Sequence, residues 1–272
     1  MYYHLGISKI NSDGSCPIDP DSAGLWVINI DGTNQRLILK GLNIYADWSP
    51  GGDWIVINQG GQIFKAPFVG DSINTSEIVQ LTFEGRNFFP NWSPDGQWIA
   101  YDRSITDNSG SSGVWIMKSD GSQKQRLLGG AFPSWHPNSR NLIVNIGSTS
   151  TSIWKRFVIY YPFELTSPET LNAIIGQNNF FPKYSIDGNR ILFQSQAENE
   201  VPQIWVMNSD ATNPQKITTY GGTEPDISPN QKVAYIHYNY RVWQLNDKEN
   251  GIIWIMDSDG SNKQQLTFGP YP

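Results

Sequence analysis

The chain has 272 residues, with 11 Trp, 12 Tyr and 12 Phe against only 16% charged residues. So many aromatics and so few charges exclude a disordered chain, and no run approaches the ~18 consecutive apolar residues of a membrane helix. A net charge of −6 argues against nucleic-acid binding through a basic face, and the single cysteine, Cys16, excludes intramolecular disulfides and CxxC metal sites.

Two segments recur along the chain. Tyr2–Ile10 reads as a strand and Asn11–Gly24 as a loop, followed by the apolar run and turn Leu25-Trp26-Val27-Ile28-Asn29-Ile30-Asp31-Gly32-Thr33-Asn34. That run returns at Val114–Gln123, Ile204–Asn213 and Ile253–Asn262, with degenerate copies at Ile63-Phe64 and Ile153-Trp154. The second segment is Trp48-Ser49-Pro50-Gly51-Gly52, then Trp92-Ser93-Pro94-Asp95-Gly96 and Trp135-His136-Pro137-Asn138-Ser139. Weaker copies stand at Tyr184–Gly188 and Ile227–Asn230. Each precedes a β-rich run: Trp54–Ile57, Trp98–Tyr101, Leu142–Val144, Ile191–Phe193 and Val233–Tyr235. Short last runs follow at Arg36–Leu39, Ile78–Thr82, Gln125–Leu128, Gln215–Thr218 and Gln264–Thr267.

Ser-Pro-Asp-Gly suits a tight turn, because Pro presets φ, Asp bonds locally and Gly accepts positive φ. Asp-Gly between apolar runs is a hairpin signal. Four short strands every ~46 residues is the period of a propeller blade. The expectation is an all-β, six-bladed β-propeller of four-stranded antiparallel blades, one domain over residues 1–272. The blades would span residues 1–40 with 268–272, then 41–82, 83–128, 129–175, 176–219 and 220–267.

These residues resemble the TolB-type, WD-like propeller repeat, roughly P-x-W-S-P-D-G-x-x-I-A-Y, then I-W-x-M-x-x-D-G-S-N, then L-T. Asn91–Tyr101 and Ile253–Thr267 fit it almost position for position. Departures are local. Ile63–Ser72 lacks the Trp and Asp-Gly, Ile153–Leu165 lacks the hairpin turn, and Asp226–Tyr235 is one residue short in its turn. Those three blades should have altered outer strands. The resemblance implies a non-catalytic, extracytoplasmic interaction domain.

The termini suggest a closure. Leu127–Pro133 aligns without a gap with Leu266–Pro272, where Pro133 leads straight into Ser134-Trp135. Residues 2–40 offer only three strands. A first blade built from both termini is expected, with Phe268–Pro272 as its innermost strand, which would remove sheet edges.

Positions equivalent across blades form rings in a propeller. One ring comprises Tyr45, Phe89, Phe132, Phe181, Glu224 and Tyr271, entering the innermost strands. It reads either as an aromatic channel mouth that grips a peptide side chain or sugar, or as packing at the channel rim. Two positions later stand Asp47, Asn91, Ser134, Lys183 and Asp226, all polar and able to line a wet channel, with Lys183 and Asp226 expected to pair. The loops sharing the face of the blade-to-blade connections vary in length, and variable loops on a rigid scaffold carry binding. Ten of the eleven Trp fall at blade-packing positions. Trp243, in the Tyr238–Gly251 loop, does not, so it joins the candidate contacts.

No HExxH, GxSxG or P-loop occurs. His4, His136 and His237 read as structural, and Asp257–Asn262 reads as a hairpin, because it lacks the order and closing Glu of a calcium loop. The reading is a monomeric scaffold that is no enzyme, without cofactor or metal, binding a protein or peptide by its loop face and mouth. The alternatives are carbohydrate binding at the aromatic mouth and a propeller lyase or lactonase using channel acids.

Overall fold

A computed structural model of the protein describes residues 2–4, 21, 23–104, 112–148, 153–164, 167–171, 178–196, 201–237 and 252–267. The described residues are strands and turns, with one short 3₁₀ turn at Thr75–Glu77. The chain divides into two compact units, Met1–Ala131 and Phe132–Pro272.

The first unit holds three sheets. One is β1 (Tyr2–His4), β2 (Gly24–Val27) and β3 (Arg36–Lys40), in that order. The next is β4 (Ala46–Trp48), β5 (Trp54–Gln59), β6 (Gln62–Val69) and β7 (Ser72–Ile73), with β8 (Val79–Gln80) also pairing β6. The third is β9 (Arg86–Trp92), β10 (Trp98–Ser104), β11 (Gly113–Lys118) and β12 (Gln125–Leu128). The second unit repeats the design in β13 (Ala131–Trp135), β14 (Leu142–Ser148), β15 (Ile153–Tyr160) and β16 (Glu169–Leu171). There follow β17 (Asn178–Tyr184), β18 (Arg190–Gln196), β19 (Gln203–Asn208) and β20 (Gln215–Lys216). Last come β21 (Thr223–Ile227), β22 (Lys232–His237), β23 (Ile252–Asp257) and β24 (Gln264–Gln265).

These are antiparallel meanders, the blade unit expected. Their number corrects the sequence reading: among the described residues five sheets have four strands or more, not six, and the sheet of residues 2–40 has three. Residues 2–40 contain three strand-forming runs and no Trp-Ser-Pro-Asp-Gly turn, so they supply no first strand of their own. Closure by Phe268–Pro272 lies outside the described residues. The blade with the degenerate Ile63–Ser72 repeat does have altered outer strands. Without an Asp-Gly hairpin, β6 runs on for eight residues and pairs with β7 at one end and β8 at the other.

The middle strands read as unbroken apolar runs because both of their faces are buried. In β5, Ile55 and Ile57 point into a core shared with Leu25, Val27 and Ile38, while Val56 points into one shared with Ile99, Tyr101 and Met117. In β18, Ile191 and Phe193 meet Ile143 and Phe157, and Leu192 meets Val233, Tyr235 and Met256. The side-chain period of 2 thus sends alternate residues to opposite neighbours.

A buried threonine fastens three of the last strands, β8, β20 and β24. Thr82 Oγ1 accepts from Ile63 N at 2.8 Å and donates to Gln62 Oε1 at 2.8 Å. Thr218 does the same with Ile204 N and Gln203 Oε1, and Thr267 accepts from Ile253 N. This satisfies backbone donors where the ladder has ended. The hairpin Asp residues close their turns locally. Asp31, Asp120, Asp210 and Asp259 each accept from the residue two positions on. Those bonds, from the Thr or Ser hydroxyl first, hold each carboxyl below its usual range. Gly260 must be glycine on two counts: its φ is +85°, and a Cβ would stand 2.8 Å from Ile217 Cβ on the neighbouring sheet.

In the Trp-Ser-Pro-Asp-Gly turn, Ser93 N donates to Trp98 O and Ser93 Oγ accepts from Trp98 N. Gly52, Gly96 and Gly188 take φ of 72–73° there. In the last copy, Ser228 N reaches back to Lys232 O, one residue sooner, and Gln231 holds φ +65°. A left-handed side-chain residue costs about 1–2 kcal/mol that glycine avoids. Gln231→Gly is therefore expected to stabilise the protein by about 1 kcal/mol and raise Tm by about 2–4 °C in a thermal melt.

Candidate functional site

The described members of the two candidate rings lie on or just before the first strands β4, β9, β13, β17 and β21. In the first unit, Tyr45 precedes β4 and Phe89 is in β9, and their rings stand 4.1 Å apart between centroids, tilted by 46°. In the second, Phe132 of β13 and Phe181 of β17 stand 4.4 Å apart at 55°. Phe180 adds an edge contact to Phe132 at 5.9 Å. All four ring residues are half-buried, and Glu224 of β21 is exposed. Tyr271 and Trp243 lie outside the described residues.

The backbone at these positions is unusual. Phe89, Phe132, Phe181 and Glu224 have φ of 50°, 56°, 52° and 51°. Bulky residues rarely occupy the left-handed region, and each of these precedes a proline, Pro90, Pro133, Pro182 or Pro225, a position biased towards extended backbone. The proline has no N–H to give the ladder, so a bulge forms. Register shifts fall between Phe180 and Lys183, between Thr223 and Asp226, and opposite Phe89-Pro90 between Ala100 and Asp102. Tyr45 supplies the control: Ala46 follows it, Ala46–Trp48 pair in unbroken register with β5, and Tyr45 is not among the positive-φ residues. The bulge turns the ring residue off the regular pleat.

The polar ring two positions on has a different use. Asp47 Oδ2 accepts from Trp92 N at 2.7 Å and from Asn91 Nδ2 at 3.0 Å, while Oδ1 accepts from Trp48 N. Asp47 thus ties β4 to β9 of the next sheet. In the second unit Lys183 Nζ stands 3.5 Å from Asp226 Oδ1, tying β17 to β21 as the sequence suggested. Ser134 is buried. These residues brace sheet to sheet. Among the described residues no group of three His, Cys, Asp or Glu side chains is placed to hold a metal.

Sequence reasoning passed over two aromatics. Phe83 and Tyr220 are 71% and 77% exposed, on the connections that leave β8 and β20 just before the next first strand. Each follows shortly after the last-strand threonine, Thr82 or Thr218, and an aromatic in that otherwise polar stretch was the available signal.

No family model matches the chain. It is 26% identical over 231 residues to the uncharacterized protein Atu1656 of Agrobacterium fabrum, covering 81% of this chain and 75% of that one. Among solved structures it is similar to a putative TolB from Agrobacterium tumefaciens, with a TM-score of 0.72 and 22% identity over 89% of this chain and 88% of that one. It is also similar to TolB from Acinetobacter baumannii, with a TM-score of 0.71 and 19% identity over 89% of this chain. The chain folds as a TolB-like β-propeller. It spans 58% of the Acinetobacter protein. A more distant likeness, with a TM-score of 0.57 and 13% identity, is to an oligogalacturonate lyase in complex with manganese. The propeller fold therefore also carries enzymes, and fold alone does not assign the chemistry.

Two predictions follow from the ring geometry. Asp47→Ala leaves Trp92 N and the Asn91 amide without their acceptor and should cost about 2–3 kcal/mol in denaturant melts, with Asp47→Asn recovering part of it. Glu224 has solvent on one side, but crowding by protein raises its carboxyl above the usual range. A raised acid favours the folded state only while protonated, so its contribution is lost as pH rises from the unfolded value through the folded one. The stability gap between Glu224→Gln and the wild type should therefore widen in the variant's favour over that window in melts at stepped pH.

Proposed function

We propose that this chain is a non-catalytic propeller scaffold that binds a protein or peptide through its first-strand ring and the loops beside it. The observation carrying this reading is the strained bulge at Phe89, Phe132, Phe181 and Glu224. Packing alone is served by ordinary extended strands, as at Ala46–Trp48. A left-handed residue before proline, repeated on four first strands, costs free energy at each occurrence, and strain of this kind gathers at ligand sites. The aromatic rings at these positions are half-buried rather than sealed in a core. Exposed Phe83 and Tyr220 extend apolar surface onto the adjoining connections, and protein interfaces are enriched in aromatics.

A monomeric state and the extracytoplasmic location implied by the TolB resemblance belong to the same proposal. Carbohydrate binding is the second reading, favoured by rings that present a face for stacking.

The test is affinity capture with the purified chain, comparing wild type with Phe132→Leu/Phe181→Leu, which keeps apolar bulk and removes the rings. A protein retained by the wild type and released by the variant, with an unchanged melt, supports the proposal. Retention of every partner by the variant overturns it. A glycan array run on the same two proteins decides the second reading, through ring-dependent binding of a sugar.

A further inference from the structure

The ring in the second unit is chemically uneven. Phe132 and Phe181 occupy equivalent positions on β13 and β17, both with left-handed backbone, and their rings stand 4.4 Å apart. The next sheet repeats the bulge in β21, with the same left-handed backbone and the same break in register, but the residue there is Glu224. The Lys183–Asp226 ion pair, two residues further along both strands, holds β17 and β21 side by side at this level. The step from Phe181 to Glu224 is thus the step from Phe132 to Phe181, with a carboxylate in place of the next ring. The Glu224 backbone N–H is held by Gln194 Oε1 at 3.4 Å, so the bulge is fixed from behind.

No salt bridge engages the Glu224 carboxylate among the described residues, and the nearby ammonium of Lys183 is taken by Asp226. An anionic group beside an aromatic face suits a planar cation. A guanidinium stacks on the ring and gives the carboxylate two parallel N–H donors, which an ammonium cannot do. The net charge of −6 favours approach of a basic partner as well.

We propose that Phe181 and Glu224 form a subsite for an arginine side chain of a peptide partner, with the guanidinium on the Phe181 ring and against the Glu224 carboxylate. The subsite rests on the peptide-binding reading above and narrows it to basic sequences.

The experiment uses the full chain, ¹⁵N-labelled, titrated with three short capped peptides that differ only in a central Arg, citrulline or Leu. Citrulline keeps the shape of arginine and removes its charge. The Arg peptide should bind about tenfold more tightly than the citrulline peptide, with shifts at the amides of Phe181 and Glu224, because charge-assisted pairs are roughly twice as strong as neutral ones. Glu224→Gln should bring the Arg peptide down to the citrulline affinity and leave the Leu peptide unchanged. Phe181→Leu should weaken the Arg peptide without abolishing its preference over citrulline. Equal binding of Arg and citrulline by the wild type overturns the subsite and leaves the peptide reading standing. So does an Arg preference that survives Glu224→Gln. Binding of none of the three peptides overturns both.

Discussion

A small sheet that is apolar on both faces cannot stand alone, and that constraint governs this chain. Burying both faces requires a neighbour on each side. The middle strands meet the requirement residue by residue, as Ile191, Leu192 and Phe193 show by alternating between two cores. Everything else follows from stacking sheets face to face. The turns must be tight, a buried threonine fastens the last strands β8, β20 and β24, and a hairpin glycine must let the next sheet come close, as Gly260 does against Ile217.

Because stacking repeats, much of the fold was legible in the sequence. The Trp-Ser-Pro-Asp-Gly and Asp-Gly-Ser-Asn turns encode their own hydrogen bonds, and the structure returns them copy after copy. Even the shortened turn at Ser228 and the altered outer strands after Ile63 were visible as departures from the repeat. The number of complete blades was less secure. The three strands of residues 2–40 were read correctly, but counting that sheet as a complete blade relied on a fourth strand from Phe268–Pro272, which lies outside the described residues. Side-chain partners across sheets were legible only where opposite charges occupied equivalent positions, as at Lys183 and Asp226. Nothing local to Asp47 announces that one of its oxygens accepts from Trp92 and Asn91 of the following sheet.

The bulge is the part of the candidate site that was present in the sequence yet not extracted from it. Phe89-Pro90, Phe132-Pro133, Phe181-Pro182 and Glu224-Pro225 place proline inside a strand, where its missing N–H breaks the ladder. The aromatic column was recognised by alignment of repeats, but its backbone conformation follows from the residue behind it. Tyr45, with alanine behind it, keeps regular register. A dipeptide therefore decides whether the ring residue lies in the pleat or is turned out of it.

On a single strand the two rings differ in kind, one made of braced polar side chains and the other mostly of left-handed backbone. Two residues beyond the bulge, polar side chains pair across sheets and are consumed in doing so: Asp47 with Asn91, Lys183 with Asp226. At the bulge itself, backbone strain is retained and the side chains stay half-buried or exposed. Bracing below lets strain persist above, since a left-handed residue relaxes unless its neighbours hold it. Within that scheme Glu224 is the informative exception. Its backbone repeats the geometry of Phe181, but its side chain cannot contribute ring packing, and crowding makes its charge costly. The side chain at that position therefore departs from the ring packing of Phe132 and Phe181 while the backbone beneath it does not.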